Sequence, residues 1–171
     1  MKNNYVFELD WLEFDYDALY RVCTTPPERD SGILPYQRHV DSDPYMKAVQ
    51  EQYPFLGKLF NIYSVRNSLP VHIDAKRKSV VNIPVRNTSD SSTIWYEMED
   101  KMMTVYDASK VAHIVQNPLK EIYRHTLNVP TLIDVTIPHS VENRSSEPRI
   151  TISWGISDKI EYEQACRLFL G

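Results

Sequence analysis

Apolar and polar positions change rhythm partway along the chain. From Lys58 to Val65 (K-L-F-N-I-Y-S-V) they alternate with a period near two, the signature of a half-buried strand. Leu69 to Ala75 follows after an Asn67-Ser68 turn, and then Ser79 to Val85. The polar run Asn87 to Ser92 reads as a loop. Thr93 to Met98, Glu121 to Leu127, Leu132 to Ile137 and Arg149 to Ile156 are further strands. The weaker segment Glu99 to Lys120 holds two short candidates, Thr104 to Tyr106 and Val111 to Val115.

Ahead of these strands the period is helical. Leu12, Leu19 and Val22 recur on one face between Asp10 and Cys23, and Pro26-Pro27 stops the pattern. Glu28 to Val40 is mixed and reads as loop. A second helix starts at Ser42 or Asp43 with Pro44 in its first turn, presents Tyr45, Val49 and Tyr53 on one face and ends at Pro54. Glu161 to Leu170 fits a C-terminal helix. Short, closely spaced strands with helices mainly before them predict a mainly β chain, a sandwich or jelly roll with helical support. We read 1–171 as one domain: a helical N-terminal part to about residue 56, a β core over about 57–157, and a C-terminal helix from about 158.

Composition narrows the function classes. Of 171 residues 42% are hydrophobic and 25% charged, which is globular rather than disordered. The net charge of −4 offers no general attraction to nucleic acid or to an anionic membrane, so neither is expected as a partner. Cys23 and Cys166 lack C-x-x-C spacing and are expected as reduced thiols. The first residues carry no signal-peptide core and no apolar run approaches about 18 residues, so a cytoplasmic location is the expectation.

The candidate chemistry centres on Leu69-Pro70-Val71-His72-Ile73-Asp74. Positions two apart in a strand share a face, so His72 and Asp74 project together, and Val71 and Ile73 turn the other way, toward the jelly-roll interior or the helices. A histidine and a carboxylate make up two-thirds of a 2-His-1-carboxylate iron site. His39, His113, His125 and His139 could each supply the missing ligand. His139 stands apart because Arg149 begins the next strand ten residues later. If the two strands are antiparallel neighbours, the guanidinium reaches the space beside His139 and can hold a carboxylate by two parallel hydrogen bonds. Thr151 shares Arg149's strand face and can add a hydroxyl.

The H-x-D pair, the distal histidine, the Val141-x-Asn143-x-Ser145 turn and the arginine ten residues on together resemble the iron(II)/2-oxoglutarate-dependent oxygenases, prolyl-hydroxylase-like, over about Leu59 to Ile156. The resemblance implies a double-stranded β-helix (jelly-roll) core. It also implies that His72, Asp74 and His139 bind Fe(II), and that Arg149 and Thr151 bind the distal carboxylate of 2-oxoglutarate. Tyr63, Asn61 and Asn82 are the implied further cofactor contacts. The implied reaction consumes O₂ and 2-oxoglutarate, releases succinate and CO₂, and hydroxylates a protein side chain or small metabolite. Two other readings compete: a non-catalytic cupin-like binding module, and a nucleic-acid demethylase. Against the last stand the acidity and the missing second arginine after Arg149. Substrate identity, oligomeric state and any substrate contact by Lys76-Arg77-Lys78 stay open.

Overall fold

A computed structural model describes residues 3–25, 36–98, 105–109, 112–115, 119–156 and 160–170. Its strands are β1 (Val6–Glu8), β2 (Tyr36–His39), β3 (Leu59–Val65), β4 (Ser68–Asp74), β5 (Ser79–Arg86), β6 (Ser91–Met98), β7 (Val105–Ser109), β8 (Ala112–Val115), β9 (Leu119–His125), β10 (Thr131–Asp134), β11 (His139–Asn143) and β12 (Arg149–Gly155). The helices are α1 (Tyr16–Thr24), α2 (Pro44–Gln52) and α3 (Tyr162–Leu170), with a 3₁₀ turn at Val40–Ser42.

The strands form two antiparallel six-stranded sheets, ordered β1-β10-β5-β12-β3-β2 and β7-β8-β4-β11-β6-β9. Within them β3 to β6 and β9 to β12 alternate between sheets as the chain advances, giving the inner orders β10-β5-β12-β3 and β4-β11-β6-β9. That interleaving is the double-stranded β-helix, the jelly roll expected above.

Local chemistry explains the helix boundaries. Asp43 caps α2 by accepting from the backbone N–H of Tyr45 and Met46, and Pro44 occupies the first turn, as read from the sequence. α1 starts later than the periodicity suggests. Asp15 takes the Ala18 N–H with its side chain, and a capping residue must lie outside the helix it caps, so Asp10 to Phe14 are excluded. Two strands were not anticipated. β1 pairs with β10 and β2 with β3, so both owe their conformation to partners distant in sequence. Part of the expected 28–40 loop, and Thr104 and Val111, fall outside the described residues.

All three helices cover the outer face of the first sheet. Leu19 and Val22 of α1, Met46 and Val49 of α2, and Ala165 and Cys166 of α3 pack with Phe60, Ile62, Val81, Ile83, Ile152 and Trp154 from its strands. Each such large apolar side chain contributes about 1.5–3 kcal/mol by leaving water. A smaller cluster of Val6, Val80, Trp95, Ile133 and Val135 lies between the sheets. With both faces covered, β5 reads as the nearly unbroken apolar run Val80-Val81-Asn82-Ile83-Pro84-Val85, its one polar member on the inner face. Gly57 sits where the backbone of β12 passes: a Cβ there would meet the Gly155 carbonyl at 2.9 Å.

Two expectations are corrected. β11 and β12 are not neighbours in one sheet. β11 pairs with β4 and β6, and β12 with β3 and β5, so His139 and Arg149 approach across the barrel. The turn between them crosses from sheet to sheet. Asn143 holds it there by donating from Nδ2 to the carbonyls of Val65, Arg66 and Glu147. Secondly, Val71 and Ile73 are only half-buried and join neither apolar cluster. The ligand face of β4 is the interior one, and among the described residues no helix packs on the other.

Candidate metal centre

His72 and His139 are direct cross-strand partners on β4 and β11, with ring centroids 4.3 Å apart. Asp74 ends β4 on the same face. One ligand atom from each of His72, Asp74 and His139 falls within 4.8 Å of the others, the one such group of three among the described residues. In the pairing with β11, a step of two residues on β11 (His139 to Val141) matches a step of three on β4 (His72 to Leu69). This bulge brings Leu69 to the interior face with His72 and Asp74.

The imidazole orientations suit a metal. His72 Nδ1 donates to the Pro70 carbonyl at 2.8 Å and His139 Nδ1 to the Ile137 carbonyl at 2.9 Å. A carbonyl can only accept, so each ring carries a proton on Nδ1, and in a neutral imidazole that leaves Nε2 as the lone pair. Backbone anchoring of the distal nitrogen is the usual support for a metal-bound histidine. Asp74 turns Oδ1 toward His72 Nε2, 3.8 Å away, and its Oδ2 lies 2.6 Å from an Arg77 terminal nitrogen.

His139 is almost fully buried, and burial, with His72 beside it, lowers its pKa to about 4. It is therefore neutral, and ready to ligate, at neutral pH. The folded value lies below the free imidazole's 6.5, so between those pH values the unfolded chain binds more protons. The stability this group contributes is complete above about pH 6.5 and is lost as pH falls through 4. The shift corresponds to a loss on the order of 3 kcal/mol. Denaturant unfolding of the metal-free protein between pH 7 and 4 is expected to show this slope, and His139→Gln is expected to flatten it. Equal slopes would mean that His139 is not the buried neutral group.

The triad lines one wall of a part-open cleft. Tyr63, Asn82, Arg149 and Thr151 line it from the first sheet, with Val80, Ile133, Val135 and Val141 as apolar filling. Arg149 is 2% exposed, and its Nε and one terminal nitrogen have no hydrogen-bond partner. Burial alone lowers its pKa to about 10, which still leaves it charged at pH 7. Asn82 Oδ1 is buried and unpartnered in the same cleft. Buried polar atoms in native proteins are nearly always satisfied, so orphaned guanidinium donors facing a cleft point to an anionic ligand.

The structure thus brings together His72, Asp74, His139, Arg149, Thr151, Tyr63 and Asn82. Asn61 is buried on β3 but does not line the cleft. The remaining histidines fall away for reasons of register. His113 stands opposite Ile73 on β8 and so shares the outer face. His125 pairs with Thr93 on β9, two strands from β11, and His39 caps the 3₁₀ turn. Two residues of the site were missed. Arg77, in the basic run whose contacts stayed open, reaches back to Asp74, to the Tyr63 hydroxyl at 3.3 Å and to Ser153 Oγ at 3.2 Å. Ser153 could have been suspected, because Arg149, Thr151 and Ser153 repeat at strand period. Trp95 and Trp154 are core residues, each donating its indole N–H to a backbone carbonyl.

Fold and cluster together define the class: a double-stranded β-helix whose interior gathers a His-x-Asp…His group with the donor set of a divalent-metal site. No protein-family profile matches the chain, and no curated protein does. Among solved structures, two that match are chains of Bacillus subtilis oxalate decarboxylase, one described by its Mn(II) centres and one a W96Y variant. Identity is 10% and 11%, over 60% and 58% of this chain and 22% and 21% of those chains, with TM-scores of 0.30. This chain therefore spans about a fifth of their length. So distant a likeness adds nothing to the strand order, which defines the fold by itself. Among the described residues no helix is long and apolar enough to cross a membrane.

Proposed function

We propose that the protein is an Fe(II)- and 2-oxoglutarate-dependent dioxygenase. The observation that carries this reading is Arg149: a buried, unpaired guanidinium in the same cleft as a His-Asp-His cluster. A metal-binding jelly roll without a carboxylate cosubstrate has no use for an isolated buried cation, which costs several kcal/mol to desolvate.

The donor set fits the metal. Two neutral imidazole nitrogens and one carboxylate oxygen are the ligands of facial iron(II) sites that keep positions open for other ligands. Iron(II) with 2-oxoglutarate and O₂ supplies oxidative decarboxylation to succinate and CO₂, coupled to hydroxylation of a C–H bond. The chain's own part is to bind, orient and exclude water. His72 Nε2, His139 Nε2 and Asp74 Oδ1 would hold the metal. Arg149 would receive the distal carboxylate through its free donors, with the Thr151 hydroxyl alongside. Tyr63 and Asn82 would border the cosubstrate. Val80, Ile133, Val135 and Val141 keep the local dielectric low, which strengthens the bond between Arg149 and the carboxylate. The substrate proposed is a protein side chain or a small metabolite.

Anaerobic addition of Fe(II) and then 2-oxoglutarate to the metal-free protein is expected to develop the weak visible charge-transfer absorption of the chelate. Iron binding without that absorption, and no succinate formed in air across a substrate panel, would leave a metal-binding jelly roll and remove the oxygenase.

A further inference from the structure

Arg77 is not part of any expected ligand set, yet it makes the most connected polar contacts of the cleft. One terminal nitrogen lies 2.6 Å from Asp74 Oδ2 and 3.3 Å from the Tyr63 hydroxyl, and the other donates to Ser153 Oγ at 3.2 Å. Its side chain is only 14% exposed and that of Asp74 5%. Asp74 closes β4 in one sheet, whereas Tyr63 on β3 and Ser153 on β12 belong to the other. Arg77 thus spans the barrel. It ties the carboxylate of the metal cluster to the strand face that also carries Thr151 and Arg149.

The two oxygens of Asp74 are differentiated by this contact. Oδ1 faces the His72 Nε2, and Oδ2 lies 2.6 Å from a guanidinium nitrogen as an ion pair without an aligned hydrogen bond. A carboxylate left to itself can bind a divalent ion through one oxygen or through both. A divalent ion approaching Oδ2 would meet the like charge of the guanidinium beside it, which leaves Oδ1 as the favoured ligand atom. We infer that Arg77 is a positioning residue that restricts Asp74 to one-oxygen ligation, keeping the number of protein ligand atoms at three. This rests on the metal reading above and extends it to how many positions at the metal stay open for other ligands.

A guanidinium can serve all three partners because its donors radiate in a fixed plane, whereas a lysine ammonium is a point charge that reaches fewer of them. The experiment is Co(II) titration of the metal-free full chain, followed by visible absorption, with no cosubstrate present. Arg77→Gln is expected to bind Co(II) about 10–100-fold more weakly than wild type, the range found for groups that orient metal ligands. Its visible band should also change in position and intensity as the second oxygen joins the metal. Arg77→Lys is expected to fall between the two. Thermal unfolding and circular dichroism check that each variant folds. If Arg77→Gln does not fold, Arg77→Lys decides, since a severalfold loss of affinity is expected of it alone. A folded Arg77→Gln that binds Co(II) within twofold of wild type, with an unchanged spectrum, overturns the inference and leaves the metal site standing. Wild-type protein that binds no Co(II) removes both.

Discussion

Arg149→Met is expected to stabilise the protein while abolishing its use of 2-oxoglutarate. The two effects have one cause. The guanidinium is buried and charged, with two nitrogens unpartnered. Methionine of similar reach removes the desolvation penalty and adds apolar contact with the cleft, so the ligand-free protein should gain about 1–4 kcal/mol in unfolding free energy. Cosubstrate binding should weaken by about 30-fold to a few thousandfold, because deleting one partner of a buried, hydrogen-bonded charge pair costs about 2–5 kcal/mol. Metal affinity measured without cosubstrate should change little, since Arg149 contacts none of the three ligands. Calorimetric titration of the Fe(II)- or Mn(II)-loaded variant with 2-oxoglutarate, and denaturant unfolding of the metal-free variant, read the two effects separately. A destabilised variant that still binds 2-oxoglutarate would make Arg149 a structural residue.

The second large effect concerns the metal. His139→Ala is expected to lose about a hundredfold in Fe(II) or Mn(II) affinity. That follows from spreading the roughly 10–16 kcal/mol of a four-ligand protein metal site evenly over its ligands, about 3 kcal/mol each. His113→Ala and His125→Ala are expected to bind metal as wild type does. His113 shares the outer face with Ile73. His125 stands on β9, with β6 between it and β11. His125 is a demanding control, because its Nε2 is buried and unpartnered and burial lowers its pKa. It therefore shares with His139 a buried ring and a lowered pKa, but not its position. Metal lost equally on replacing His125 would show that the ligand set is not the one assembled around His72 and Asp74.

Much of this site was legible because its parts are local. A period of two puts His72 and Asp74 on one strand face whatever the rest of the chain does. The same period aligns Arg149 with Thr151. Proline and a capping aspartate define the start of α2 within a few residues. Where a boundary was misjudged, as at α1, two local signals competed, and the hydrogen bond from Ala18 N–H to Asp15 outweighed the apolar spacing.

What local pattern could not convey is which face of a strand becomes the interior and which strands become neighbours. Val71 and Ile73 are as apolar as any core pair, yet it is the polar face of β4 that turns inward, where His72 bonds the Pro70 carbonyl and Asp74 pairs with Arg77. His139 and Arg149 look like two arms of a hairpin. They line one cleft from opposite sheets instead, because the chain crosses between sheets after β11, with Asn143 bracing the crossing. Arg77 follows a strand in a run of three basic residues, indistinguishable in sequence from a solvated turn. Its role exists only because closing the barrel brings Tyr63 and Ser153, fourteen residues before it and seventy-six after, within reach of one guanidinium. Alternation and capping act over a few residues and are written in them. Sheet closure is decided by the burial and hydrogen bonding of the whole chain, so contacts that depend on it emerge only with the tertiary structure.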